Sequence, residues 1–155
     1  MMNAPFWAGC AFTLLGLYML RFSVLNFRKA LASEGWPTVR GELLEVTLWG
    51  RRNVKGEAKE VERLRLKYQY EVDGRSHSGT AVSYFTLVYP ETVEFAEAHP
   101  EGSEVQVHYD PANPADSVLI PGPRRDKRHS DLILASLGVL VGLVLAVLGW
   151  LEILG

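Results

Sequence analysis

The chain has a single cysteine, Cys10, so no disulfide can close within it, and one thiol leaves the redox compartment unspecified. An excess of positive charge is also missing. Lys and Arg number 16 against 18 Asp and Glu, a formal net charge of −2, so no global basic balance points to nucleic acid. The four histidines, His77, His99, His108 and His129, fall at intervals that match no metal-ligand spacing. Nucleophile motifs, paired catalytic carboxylates and phosphate-cradling glycine loops are lacking too. These absences make an enzyme the weakest of the function classes, and they call for no cofactor.

What the chain does have is apolar ends around a polar middle. Leu132 to Leu151, "LILASLGVLVGLVLAVLGWL", is 20 residues without a charge. At the helical rise it spans about 30 Å, the thickness of a bilayer core. The stretch from Pro5 to Phe27 is also apolar and carries Arg21, placed late enough to snorkel to headgroups. A cleaved signal peptide would put positive charge before the apolar run, whereas Arg28 and Lys29 follow it. "WAGC" at Trp7 to Cys10 comes too early for a lipoprotein box. The first helix is expected to continue through "NFRKALASE", with Gly35 and Pro37 as stops. Four regions follow: a transmembrane helix with a cytoplasmic extension (5–34), a β-rich domain (36–122), a basic linker (123–131) and a second transmembrane helix (132–154).

Flanking charge sets the expected orientation. Arg21, Arg28 and Lys29 lie on the inner side of the first helix, and Arg124, Arg125, Lys127 and Arg128 precede the second. Such clusters stay cytoplasmic. The middle domain is therefore expected in the cytoplasm, both ends outside, and both clusters against lipid headgroups rather than nucleic acid. Gly138, Gly142 and Ala146 recur at four-residue steps, a small-residue face that lets a helix approach closely. The first helix, with Gly9 and Gly16, or a second copy of the chain could fill it.

In the middle, "RLRLKYQYEV" (Arg63 to Val72) alternates with period two, so Leu64, Leu66, Tyr68, Tyr70 and Val72 share a buried strand face. Asp73-Gly74 is a two-residue hairpin turn. It predicts a partner strand over Arg75 to Phe85, with Val72 opposite Arg75, Tyr70 opposite His77 and Tyr68 covering Gly79. His77 then points inward, as a half-buried packing residue. Val39 to Trp49 reads as another strand, Gly50 to Glu60 as a mobile polar loop, and Pro90 to His99 as a short helix with Tyr89, Val93 and Ala96 on one face. Val105, Val107 and Tyr109 share a strand face and lead into "DPANP". Asp110, Pro111, Asn113 and Pro114 there predict a rigid double turn, with Asp110 bonded to nearby backbone rather than catalytic, and then a strand over Ser117 to Ile120.

Three stretches, "WPTVRGELLEV", "YQYEVDGRSHSG" and "EGSEVQVHYDPANPADSVLIPG", together resemble the bacterial membrane-protein family catalogued as domain of unknown function 3592. The resemblance runs over nearly the whole chain, and the third stretch is its most specific part. The family tends to carry an aromatic where this chain has His77. It implies a small β-rich domain held between two membrane helices in the bacterial inner membrane, with no established activity. The fold class expected is thus an α+β membrane protein. Two transmembrane helices flank a mainly antiparallel β domain, barrel- or sandwich-like, with one short helix. The leading functional expectation is a non-enzymatic interaction or regulatory module. Its partners would be membrane lipids and a membrane protein, or a second copy through the second helix. A sensory or transport accessory protein that binds a small ligand or lipid headgroup is the alternative, and a membrane-bound enzyme comes third.

Overall fold

The structure, a computed structural model, describes residues 4–124 and 130–151. Three helices and one five-stranded antiparallel sheet make an α+β fold: α1 (Ala4–Ser33), β1 (Thr38–Val54), β2 (Glu57–Val72), β3 (Arg75–Gly79), α2 (Glu91–Ala98), β4 (Glu104–Asp110), β5 (Asn113–Val118) and α3 (Ser130–Trp150). The chain divides into a helical unit, up to Arg28 and from Arg124 onward, and a β unit from Lys29 to Pro123. Phe6–Ser33 and Ile133–Trp150 are long and apolar enough to cross a membrane.

The sheet order is β3-β2-β1-β4-β5. It is a single open sheet, with neither a second layer of strands nor a closed barrel among the described residues. Its two edges nevertheless meet just past their strands, where the Leu119 and Ile120 amides both donate to the Val82 carbonyl (2.9 and 2.7 Å). β2 buries one face as its period demands: Leu66, Tyr68, Tyr70 and Val72 are buried while their sequence neighbours are exposed. With Leu43 of β1 and Val105 and Val107 of β4 they form the core. Burial of each large side chain contributes about 1.5–3 kcal/mol, so this small set dominates the stability of the unit.

The β2–β3 hairpin turns on Asp73 and Gly74, with φ of 50° and 75°. Both lie in the left-handed region that this turn requires. Val72 pairs with Arg75, Tyr70 with His77 and Tyr68 with Gly79. β3 stops at Gly79 rather than running to Phe85. The Tyr68 ring fills the space a Cβ would need at Gly79, and the Tyr68 hydroxyl holds the Ala81 carbonyl at 3.0 Å. The chain then leaves β2 and crosses toward β5.

Residues 50–60 are not a loop. β1 and β2 are 17 and 16 residues long and continue as a two-stranded arm to a turn at Lys55 (φ 55°) and Gly56 (φ 90°). The Asn53 side chain accepts from the Gly56 amide at 2.9 Å. Both faces of the outer arm meet water, so its sequence has no apolar alternation to read. Register shifts at Leu43/Glu45 and Trp49/Arg51 mark bulges, which twist a hairpin and discourage edge pairing.

α2 is anchored by Thr92, which is fully buried and whose hydroxyl donates to the Val61 carbonyl at 2.6 Å, with Phe95 packed against the core and Tyr89, Val93 and Ala96 half-buried. β5 begins at Asn113, four residues earlier than the strand expected from Ser117. Asp110 pairs directly with Asn113 across a turn at Pro111 and Ala112.

Candidate functional site

In the helical unit the close contacts run through small residues. A Cβ placed on Gly142 of α3 would lie 2.6 Å from the Thr13 backbone nitrogen of α1, and one on Gly16 would lie 2.9 Å from Val139. Gly9 lies in the same way against the Ala146 backbone. The Thr13 hydroxyl donates to the Gly9 carbonyl at 2.8 Å, which satisfies it within its own helix. Near one end of the pair the Phe6 and Trp150 rings are 5.7 Å apart. Gly142 and Ala146 thus face α1, and the Gly138 carbonyl carbon lies 3.2 Å from where a Cβ on Gly16 would stand, although a Cβ on Gly138 itself would meet nothing within 4 Å. The three residues of the stripe are not equivalent.

The β unit gathers its polar side chains around β5. Asp116 is the centre. Its Oδ2 accepts from Lys29 Nζ at 2.5 Å and its Oδ1 from the Tyr84 hydroxyl at 2.5 Å. Lys29 also sits 5.7 Å from the centre of the Tyr84 ring, and that ring meets Trp36 edge-on at 5.9 Å. One residue along, the Tyr68 hydroxyl reaches both the Ser117 carbonyl and the Ser117 hydroxyl at 3.0 Å. Tyr70 donates to the Pro114 carbonyl at 2.6 Å. The last turn of α1 is tied in as well, because the buried Ser33 hydroxyl accepts from the Gly122 amide at 2.9 Å.

Burial pushes the Tyr68 phenol up to about 12, with the Ser117 hydrogen bond pulling part of the way back. Tyr84 is raised further, by burial first and then by its bond to the Asp116 carboxylate and that group's charge. Both phenols stay protonated at neutral pH and act as donors in this network. His108 of β4 is shifted the other way. Burial lowers it, a hydrogen bond to the Trp36 backbone opposes the shift, and its Nδ1 is shut off from water without a partner. Isolated in sequence, Asp116, Tyr84 and His108 gave no sign of their roles, which depend on chain crossings between distant segments.

A groove of about 450 Å³ lies elsewhere on the unit, lined by Arg40, Glu42, Gln69, Glu71, Ser76 and Glu104 among others. Arg40 and Glu104 pair across it at 3.5 Å, both largely exposed. It is open and polar, unlike an enclosed apolar pocket.

Of the basic residues expected at a membrane interface, Arg21, Arg28 and Lys29 are exposed on α1. Lys29 spends its charge on Asp116. Arg124 is partly buried, and Arg125, Lys127 and Arg128 lie outside the described residues. Asp110 Oδ1 accepts from the Ala112 amide at 2.9 Å, the local turn bond expected of a residue in this position. Among the described residues, no three His, Cys, Asp or Glu side chains are grouped to hold a metal.

A family model described as "Domain of unknown function (DUF3592)" matches residues 39–124, more than half of the chain. The match takes in the β unit from β1 to the end of the β5 network, while all of α1 and all of α3 lie beyond it. No curated protein and no solved structure matches the chain.

Proposed function

The chain belongs to the DUF3592 family, and from that premise we propose that it is a non-enzymatic, membrane-anchored interaction or regulatory module. In this reading α1 and α3 cross the inner membrane of a bacterium as a packed pair. The β unit lies on the cytoplasmic side, where it meets a protein partner. One observation carries the membrane part. A core helix of a soluble protein can match these helices in length and apolarity, but it is covered by protein. Here only 11% and 17% of the two apolar windows are buried, with residues such as Leu14, Ile133 and Leu134 about two-thirds exposed or more. In water that would be an apolar surface far larger than soluble monomers carry. In lipid it needs no cover.

The test is extraction and capture. Membranes carrying the chain should retain it through alkaline carbonate, and a pull-down after mild solubilisation should bring down a discrete membrane-protein partner that a variant lacking residues 38–122 does not. Release by carbonate would refute the anchoring, and identical captures with and without the β unit would refute the contact role. The groove beside Arg40 and Glu104 supports a second reading, an accessory protein that holds a small polar ligand or lipid headgroup. Saturable binding of such a ligand, lost in Glu42→Gln/Glu71→Gln, would favour it.

A further inference from the structure

We infer that β5 is a strap that couples the cytoplasmic end of α1 to the core of the β unit, with the Asp116 carboxylate as its latch. The ladder alone holds this strand weakly. Among the described residues β5 pairs with β4 alone, through His108–Val118, Tyr109–Ser117 and Asp110–Asn113, and the register shifts between the last two pairs. Side chains supply the rest. Tyr70 holds Pro114, Lys29 and Tyr84 hold Asp116, and Tyr68 holds Ser117. Four tethers thus reach a six-residue strand from α1, from the core face of β2 and from the segment after β3.

The two sets of tethers lead to different places. Tyr68 and Tyr70 are fully or almost fully buried core residues, so β5 cannot shift without disturbing the centre of the sheet. Lys29 lies one turn before the end of α1, and Ser33, in the last turn, is bonded to Gly122 just beyond β5. A displacement of the sheet by a bound partner would therefore alter the strain on the Lys29–Asp116 bond. A displacement of α1 would in turn load Tyr68 and Tyr70. Such coupling is reciprocal by thermodynamic necessity. The strap deepens the regulatory reading above and depends on it for its use, while its geometry lies wholly within the β unit.

The experiment is hydrogen–deuterium exchange on the full chain in phospholipid nanodiscs. Lys29→Gln removes the charge and shortens the side chain by one bond. Loss of a partly exposed, charge-assisted bond should speed exchange at the Leu119 and Ile120 amides about 2- to 10-fold. Arg28→Gln, an equal charge loss one residue earlier, should leave them unchanged. Tyr70→Phe keeps the ring and removes the hydroxyl that holds β5 at Pro114. The strap requires this change in the core to speed exchange at the Glu34, Gly35 and Trp36 amides, which close the end of α1. If Tyr70→Phe loosens β5 but not residues 34–36, the tethers are local and the coupling is overturned. Equal exchange in Lys29→Gln and Arg28→Gln would remove the latch. Both readouts are taken from protein already held in a bilayer, so they can fail without touching the anchoring claim, which rests on carbonate extraction.

Discussion

Gly142→Leu should drive α1 and α3 apart. The first added carbon alone would sit 2.6 Å from the Thr13 nitrogen, 2.7 Å from its hydroxyl and 3.0 Å from the Phe12 carbonyl carbon, where ordinary contact starts at 3.4 Å. Two of these neighbours are backbone, so no rotamer change relieves them, and the helices must separate by roughly 1 Å before the rest of the leucine is placed. Inside lipid no hydrophobic force pushes helices together, so lost packing is lost association. Overpacking a close contact costs about 1–3 kcal/mol, or about 5- to 140-fold in the pairing equilibrium. Two controls sharpen the case. Gly138→Ala lies on the same nominal stripe, but its new carbon meets open space. Val141→Leu enlarges a side chain that is half exposed already. The assay is crosslinking in native membranes between the natural Cys10 on α1 and single cysteines scanned along residues 139–147 of α3. A periodic pattern of yields is expected for the parent, Gly138→Ala and Val141→Leu, and a flattened one for Gly142→Leu. Identical patterns in all four would refute the packing argument.

Asp110→Asn keeps an acceptor for the Ala112 amide and should melt within about 0.5 kcal/mol of the parent, whereas Asp110→Ala should lose about 0.5–1.5 kcal/mol. If Asn folds normally but abolishes partner capture, the carboxylate has a role beyond the turn. Tyr68→Phe keeps the buried ring and strands the Ser117 and Ala81 groups. About 1–3 kcal/mol should disappear from urea unfolding, and no change would mean the hydroxyl is not a tether. His108 is half-buried and its folded pKa is lowered, chiefly by that burial, so the unfolded chain binds the proton more tightly and acid favours unfolding. Its contribution is intact above the unfolded value of about 6.5 and falls as pH drops through that value toward the folded one. His108→Gln should flatten this part of the stability profile between pH 7.5 and 5, and an unaltered slope would assign it to other groups.

The parts that were legible in the sequence are those whose physics is local. Strict alternation in Arg63 to Val72 marked a half-buried strand, and Asp73-Gly74 set its register because few residues tolerate two successive left-handed positions. The apolar runs marked α1 and α3 by length alone. What escaped depends on tertiary crossings. The outer arm, Gly50 to Glu60, has water on both faces and so carries no binary pattern. β3 ends early because the chain is pulled across to the other edge of the sheet at Val82, which no property of "TAVSYF" announces. The network on Asp116 joins positions 29, 84 and 116, and a lone aspartate two residues beyond a proline is indistinguishable from a turn residue until those segments meet. Spacing along the small-residue stripe also does not tell which of its glycines leaves room for a Cβ: Gly138 does and Gly142 does not.

A topology reporter tests the central claim most directly. Fused after Gly155, an enzyme active only outside the cytoplasm should be active, and inserted in the exposed Lys55–Gly56 turn it should be silent, while a cytoplasmic fluorescent reporter at that turn should light up. The opposite pattern would put the β unit outside. Cytoplasmic behaviour at both positions would contradict a pair of membrane-spanning helices altogether.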